Sequence, residues 1–426
     1  MSAPTQEAIL RPSVWNWGWR FHGLPVAQRI AVIAWVVVVA GIFGRVALSP
    51  RLPPSVIPVY RAAAERWMAG EDLYSSQHLW HVYRYPPCFA PSFVPFTYFP
   101  PRLGELLWRS LTIAVMLSGL WLWAKHALQL NPGQRGALFV LALPLCLTSL
   151  NNGQANILLA GLLLHGATAA IRCRGMLAGI CVAVATAIKV YPIAVGMLLA
   201  CANPKRIIPW LVVSIAGLAA LPFLLAPVDY VAGEYLGFVK TVGSDTRHEI
   251  DHPEPPRDLF LVMRNYLVVP SEHTYGIIVL SVAAGMACTV AFASFRVRDP
   301  RISLVLAFDL GCVWMTVFGP ATEPHTFALL APTAAACLIL SRTSTAQFAM
   351  TLCAYLLLIT PVIRDFFPNG RVLHNLGIQP LGGLLLLGTF VMKWISDGIF
   401  CASKRGRDMI KVCEPSLANL STTFRP

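Results

Sequence analysis

The chain has 426 residues, of which 56% are hydrophobic and only 12% charged, and its mean hydropathy is +0.62. Soluble domains carry about 25% charged residues, so the composition excludes an ordinary soluble fold and predicts an all-α integral membrane protein with many spans. The net charge of +13 does not point to nucleic acid, because the basic residues sit in short turns between apolar runs.

Residues 1–29 read as a polar, cytoplasmic N-terminal segment. No small-residue cleavage site follows, so Ile30–Leu48 is predicted as an uncleaved first span. Further apolar runs lie at 104–124, 136–150, 155–171, 175–188, 190–203, 207–226, 275–295, 302–318, 325–341, 346–362 and 377–398. They make about twelve candidate spans in a domain covering 30–399, although 175–188 and 190–203 are short for full crossings. Residues 400–426 form a basic tail.

Basic residues cluster at every second turn: Lys125 and Arg135, Arg172 and Arg174, Lys205 and Arg206, then Arg296, Arg298 and Arg301, then Arg342. The pattern predicts that both termini are cytoplasmic. The alternate loops then face outward, including two long ones, 49–103 and 227–274. Most of the acids fall in these loops, eight of them between Asp229 and Glu272. In the first loop, "VYRAAAERWMAG" reads as an amphipathic helix ended by Gly70. The aromatic, proline-rich "YRYPPCFAPSFVPFTYFPP" is too broken for a span and reads as a segment at the membrane interface.

The distinctive polar groups all fall on the predicted outer side. Asn151, Asn152, Gln154 and Asn156 stand between two apolar runs, and carboxamides are costly in lipid without partners. Lys189 lies in "ATAIKVYPIAVGM" with no other charge nearby. A lysine there needs a phosphate, a carboxylate or water, or else snorkels from a span end. Pro192 breaks the helix beside it, which favours a cavity. Glu323 and His325 flank Pro324 at an outer span end, and form either a base with an orienting or phosphate-binding group or a hydrated turn. Asp309, near the middle of a span, is expected to face the protein interior, for function or for a hydrogen bond between helices.

Several chemistries lack support. His248–His252 matches H-E-x-x-H in letters, but Asp251 occupies an inner position and Pro253, Pro255 and Pro256 follow, so zinc is not expected. His78 and His81 lack further ligands. Of the eleven cysteines only Cys88 lies in an outer loop, and no disulfide framework is expected. No phosphate-cradling glycine loop and no G-x-S-x-G occurs. A polar, aromatic-walled site on the outer side suits a substrate that is partly lipid.

The order "AGEDLY", "YRYPP", "NNGQANILL", "AIKVYP" and "FGPATEPHTFALLAP" resembles glycosyltransferase family 87, from about Val56 to about Pro332. That family contains the polyprenyl-phosphate-mannose-dependent mannosyltransferases of actinobacteria, within the GT-C superfamily of multispan enzymes. The resemblance implies a GT-C-like helical bundle in the cell membrane. It implies transfer of a hexose, such as mannose, from a polyprenyl-phosphate sugar to an extracytoplasmic hydroxyl on a glycolipid or glycan. Membrane lipid is then a partner, nucleic acid is not, and no nucleotide sugar or cofactor is required. On this reading Lys189, Arg84 and His325 supply positive charge, Asn152 and Gln154 hold sugar hydroxyls or phosphate, and Tyr85 and Tyr191 stack on sugar or prenyl.

One departure matters. The family usually carries an aspartate, the expected base, four residues before the tyrosine that opens the first-loop helix. Here that position is Val56, before Tyr60. Glu65, Glu71, Asp72 and Glu323 are the candidate replacements, with Asp72 readable equally as a turn residue before Leu73 and Tyr74. Two rival readings follow: a polytopic lipid transporter or flippase, and a non-catalytic relative that keeps the lipid cavity.

Overall fold

A computed structural model describes residues 24–75, 83–244, 255–320, 322–341, 345–364 and 375–396. Among them every regular element is a helix, and there is no strand. The His248–His252 stretch, His78 and His81, and the tail from 400 onward lie outside the described residues.

Among the described residues six helices are long and apolar enough to cross a membrane. They are α1 (Val26–Leu48), α4 (Pro101–Leu122, extended to Ala127 by a π-helical turn), α5 (Pro132–Asn152), α9 (Pro204–Ala220, extended to Leu224 by a 3-10 turn), α12 (Glu272–Arg296) and α13 (Pro300–Val313, extended to Phe318). Shorter apolar helices are α6 (Asn156–Ile171), α7 (Gly175–Ile188), α8 (Ile193–Ala202), α14 (Ala331–Leu340, entered through the 3-10 segment Pro324–Leu330), α15 (Thr345–Leu358) and α17 (Ile378–Ser396). At 1.5 Å per residue, a 14-residue helix such as α7 reaches about 21 Å, short of the hydrocarbon thickness. The remaining helices are α2 (Ile57–Ala69), α3 (Phe89–Thr97), α10 (Val228–Gly243), α11 (Leu259–Tyr266) and α16 (Thr360–Arg364).

The bundle is built by neighbour packing of α4 on α6, α6 on α7, α7 on α9, α1 on α5, α8 on α12 and α13, and α15 on α17. Its interior is α6, α13 and α14, whose residues are mostly buried. On α1, α9 and α12 the side chains of Val36, Val37, Val212, Val213 and Leu280 are more than half exposed. Valine and leucine in that position make a surface for lipid, not for water. Asp309 is half-buried on α13 and accepts a 2.6 Å hydrogen bond from Thr333 of α14, which joins two interior helices.

The first-loop helix expected at "VYRAAAERWMAG" is α2, and Gly70 ends it in the left-handed conformation at φ 71°. The aromatic segment that follows turns into α3 and folds inward. Phe89 and Phe93 are buried against Tyr60 of α2 and Trp108 of α4, with ring centroids 5.1–6.1 Å apart. These aromatic edges and faces pack as a wall, so the segment closes over the bundle end.

Candidate active site

The site is organised by the turn between α5 and α6. Helix α5 ends at Asn152, and Gly153 sits at φ 73°, ψ 22°. The Gly153 N–H donates to Leu150 O and the Gln154 N–H to Ser149 O, the paired bonds of a Schellman cap. A Cβ at Gly153 would stand 2.5 Å from Ile57 Cδ1, so both conformation and space require glycine.

The next three carbonyls, of Asn151, Asn152 and Gly153, are each taken by a donor from elsewhere. Arg109 Nη2 donates to Asn151 O at 3.0 Å, the Val56 N–H to Asn152 O at 3.0 Å, and Trp108 Nε1 to Gly153 O at 2.9 Å. Arg109 and Glu105, one turn apart on α4, are 1% and 2% exposed and pair at 2.8 Å. The second carboxylate oxygen of Glu105 accepts from Ser55 Oγ at 3.2 Å. Helix-end carbonyls have no intrahelical partner, and here side chains complete them. The turn is therefore rigidly presented.

On this frame stand the polar groups singled out in the sequence. Gln154 Nε2 donates to the Glu323 carboxylate at 3.0 Å. Glu323 is half-buried in extended backbone, immediately before the 3-10 segment Pro324–Leu330. Lys189 is the extended residue between α7 and α8, with Pro192 opening α8. Its Nζ donates to Asn156 Oδ1 at 3.1 Å, and the Tyr191 hydroxyl donates to the same oxygen at 2.8 Å. Lys189 Nζ also lies 5.4 Å from the Tyr85 ring centre and 5.6 Å from that of Tyr191, within cation–π range.

Tyr60 joins the two halves. Its hydroxyl is 2.8 Å from that of Tyr85 and accepts the Ala155 N–H at 3.3 Å. Burial pushes the Tyr60 hydroxyl up from its ordinary pKa, and the Glu323 charge adds to the rise. Tyr85 is raised well above its ordinary value by burial, then by Tyr60 and Glu323. Both hydroxyls therefore stay protonated, and Glu323 lies within electrostatic reach of both.

Thus Gln154, Glu323, Lys189, Tyr85 and Tyr191 come together, with Asn156 and Tyr60 as additional members. Buried polar atoms without a partner collect here: Asn152 Oδ1, Gln154 Oε1 and Asn156 Nδ2. Such atoms are costly in a dry interior and suit a polar ligand. His325 is half-buried on the first turn after Glu323, and Arg84 is half-buried between the buried Tyr83 and Tyr85. Asp72 is exposed, and its Oδ1 accepts the Tyr74 N–H at 2.8 Å in an Asx turn. It meets the cluster only indirectly, because the Tyr74 hydroxyl donates to Tyr85 O at 2.8 Å. Val56 is half-buried at the N-terminus of α2, where its backbone braces the α5–α6 turn.

Fold and site together define an all-α membrane protein with a polar, aromatic-walled site at one end of its helical bundle. The family model of glycosyltransferase family 87 matches residues 83–320, more than half of the chain. The chain belongs to that family, in the GT-C superfamily, and is a membrane glycosyltransferase. No curated protein matches it. The matched segment contains Arg84, Tyr85, the α5–α6 turn, Lys189 and Tyr191, and ends just before Glu323 and His325.

Proposed function

We propose that the protein transfers a hexose from a polyprenyl-phosphate donor to an acceptor hydroxyl at the extracytoplasmic face of the cell membrane. The supporting observation is that one turn, Gly153–Asn156, holds a carboxylate through Gln154 and an ammonium through Asn156. In the reaction the acceptor oxygen forms a bond to the anomeric carbon while the bond to the lipid phosphate oxygen breaks. Glu323 takes the acceptor proton. Lys189, with Arg84 and His325, stabilises the negative charge that develops on the leaving phosphate. Tyr85 and Tyr191 offer ring faces to sugar or prenyl, and the free amide atoms of Asn152 and Gln154 meet sugar hydroxyls. No cofactor enters this scheme.

The outward direction rests on the alternation of basic turns. The test is a transfer assay on purified protein with polyprenyl-phosphate sugar and a glycolipid extract. Sugar transfer that is lost in Lys189→Ala and His325→Ala supports the proposal. The valine at 56 favours a second reading, a relative that binds the donor without transferring it. Donor binding with no product under any acceptor would establish that reading instead, and lipid movement across a vesicle without transfer would indicate a flippase.

A further inference from the structure

Helix α10 divides into three faces. At about 100° per residue, Val228, Leu236, Val239 and Val242 fall within an arc of roughly 120°. Their exposures are 62%, 73%, 67% and 49%. Asp229 and Lys240, both exposed, line one edge of that arc. The opposite face packs on the first external loop. Glu234, 5% exposed, accepts the Leu73 N–H at 3.0 Å, and the Tyr230 hydroxyl donates to Glu71 O at 2.9 Å. Tyr230 and Phe238 pack against Trp67 and Tyr74 at 5.4 and 6.2 Å between ring centres.

Exposed apolar residues are not confined to α10. Leu225 and Leu224, which lead into it, are 57% and 83% exposed, and Val212 and Val213 of α9 are exposed before them. The junction is fixed: Tyr235 stacks on Phe223 at 5.9 Å and donates to Ala219 O at 2.8 Å. A span that ends, a rigid corner, and a helix with one apolar face, a charged edge and a covered back are the parts of an interfacial helix.

We propose that α10 lies along the bilayer surface, with Val228, Leu236, Val239 and Val242 seated among lipid chains and Asp229 and Lys240 at the water boundary. The occupant of this face is lipid because α10 follows within four residues on a membrane-crossing helix, and the exposed residues on both and at their junction are apolar. The placement is independent of which sugar or acceptor the enzyme uses.

Photocrosslinking of the full-length protein in phosphatidylcholine vesicles tests it. Benzoylphenylalanine placed at position 236 or 239 should form lipid adducts, read by mass spectrometry, about tenfold more often than the same probe at 240. In a second arm the probe sits at 232, and Leu236→Asp with Val239→Asp should cut its lipid adducts about tenfold, with the elution volume in detergent unchanged. Adducts joining two copies of the chain, adducts to another protein, or equal yields at 236 and 240 overturn the proposal. So does an unchanged yield in the second arm.

Discussion

Gln154 and Glu323 are 169 positions apart in the chain, yet the amide of one donates to the carboxylate of the other at 3.0 Å. This bond joins the α5–α6 turn to the extended entry of the segment before α14. It brings the one acid of the cluster beside the amides and, through Asn156, near the ammonium of Lys189.

Glu323→Gln keeps size and hydrogen bonding but cannot accept a proton. General base catalysis is worth about 10²–10⁴-fold, so kcat should fall by that order while donor binding persists. Steady-state turnover and donor titration measure the two effects separately. Full turnover in this variant would reject Glu323 and direct attention to Asp72 or Glu65.

Asn156 carries both the Lys189 ammonium and the Tyr191 hydroxyl on one oxygen. Asn156→Leu removes the acceptor that both donors share, and each lost hydrogen bond costs about 0.5–1.5 kcal/mol. Its melting temperature should fall along with its activity. Asn156→Asp restores an acceptor for both but neutralises Lys189 locally. We expect it to fold with near-normal stability and to bind the anionic donor weakly. A normal donor KM in Asn156→Asp would show that Lys189 does not meet phosphate.

The Glu105–Arg109 pair is almost completely buried. Removing one partner strands the other charge, at a cost of about 3–5 kcal/mol. Glu105→Leu and Arg109→Met should each be strongly destabilising, whereas the double variant should lose less than the two together. Thermal unfolding in detergent gives the three values, and strict additivity would contradict the coupling.

Burial raises the pKa of Glu234; the Leu73 N–H offsets this partly, and the Asp72 charge adds to the rise. A carboxyl with a raised folded-state pKa favours folding below its unfolded value and loses that contribution as pH rises through the folded value. Glu234→Gln, which stays neutral and still accepts from Leu73, escapes that loss. Its melting temperature should match the parent below about pH 4 and exceed it increasingly toward pH 7. An advantage that shrinks with rising pH would contradict the assignment.

Much of the site was legible because polar residues in apolar surroundings announce themselves. Gln154 and Lys189 stand out against the runs around them, and Glu323 stands beside a proline at a span end. Gly70 was readable as a helix end because only glycine suits that conformation cheaply. Trp108 and Arg109 were not legible. Apart from the Glu105 carboxylate one turn away from Arg109, the contacts that tie them to the site are to backbone carbonyls more than forty positions away, and a carbonyl leaves no mark in a sequence. Tyr60 looked like one face of an amphipathic helix, and its contacts with Tyr85 and Ala155 depend on how α3 folds back. Asp72 was ambiguous in the sequence because an Asx-turn acid and a base are the same letter. The structure finds it on its own backbone.

The clasp around the α5–α6 turn has a consequence for biosynthesis. The donors to the Asn151, Asn152 and Gly153 carbonyls, Arg109, Val56 and Trp108, all precede the turn in the chain. Chains fold from the N-terminus as they are made, so the turn can close as soon as α6 leaves the ribosome. Glu323 is added long afterward, once α7 to α13 have been made. The half of the site built on amides and Lys189 is thus finished early, and the acid completes it late in synthesis.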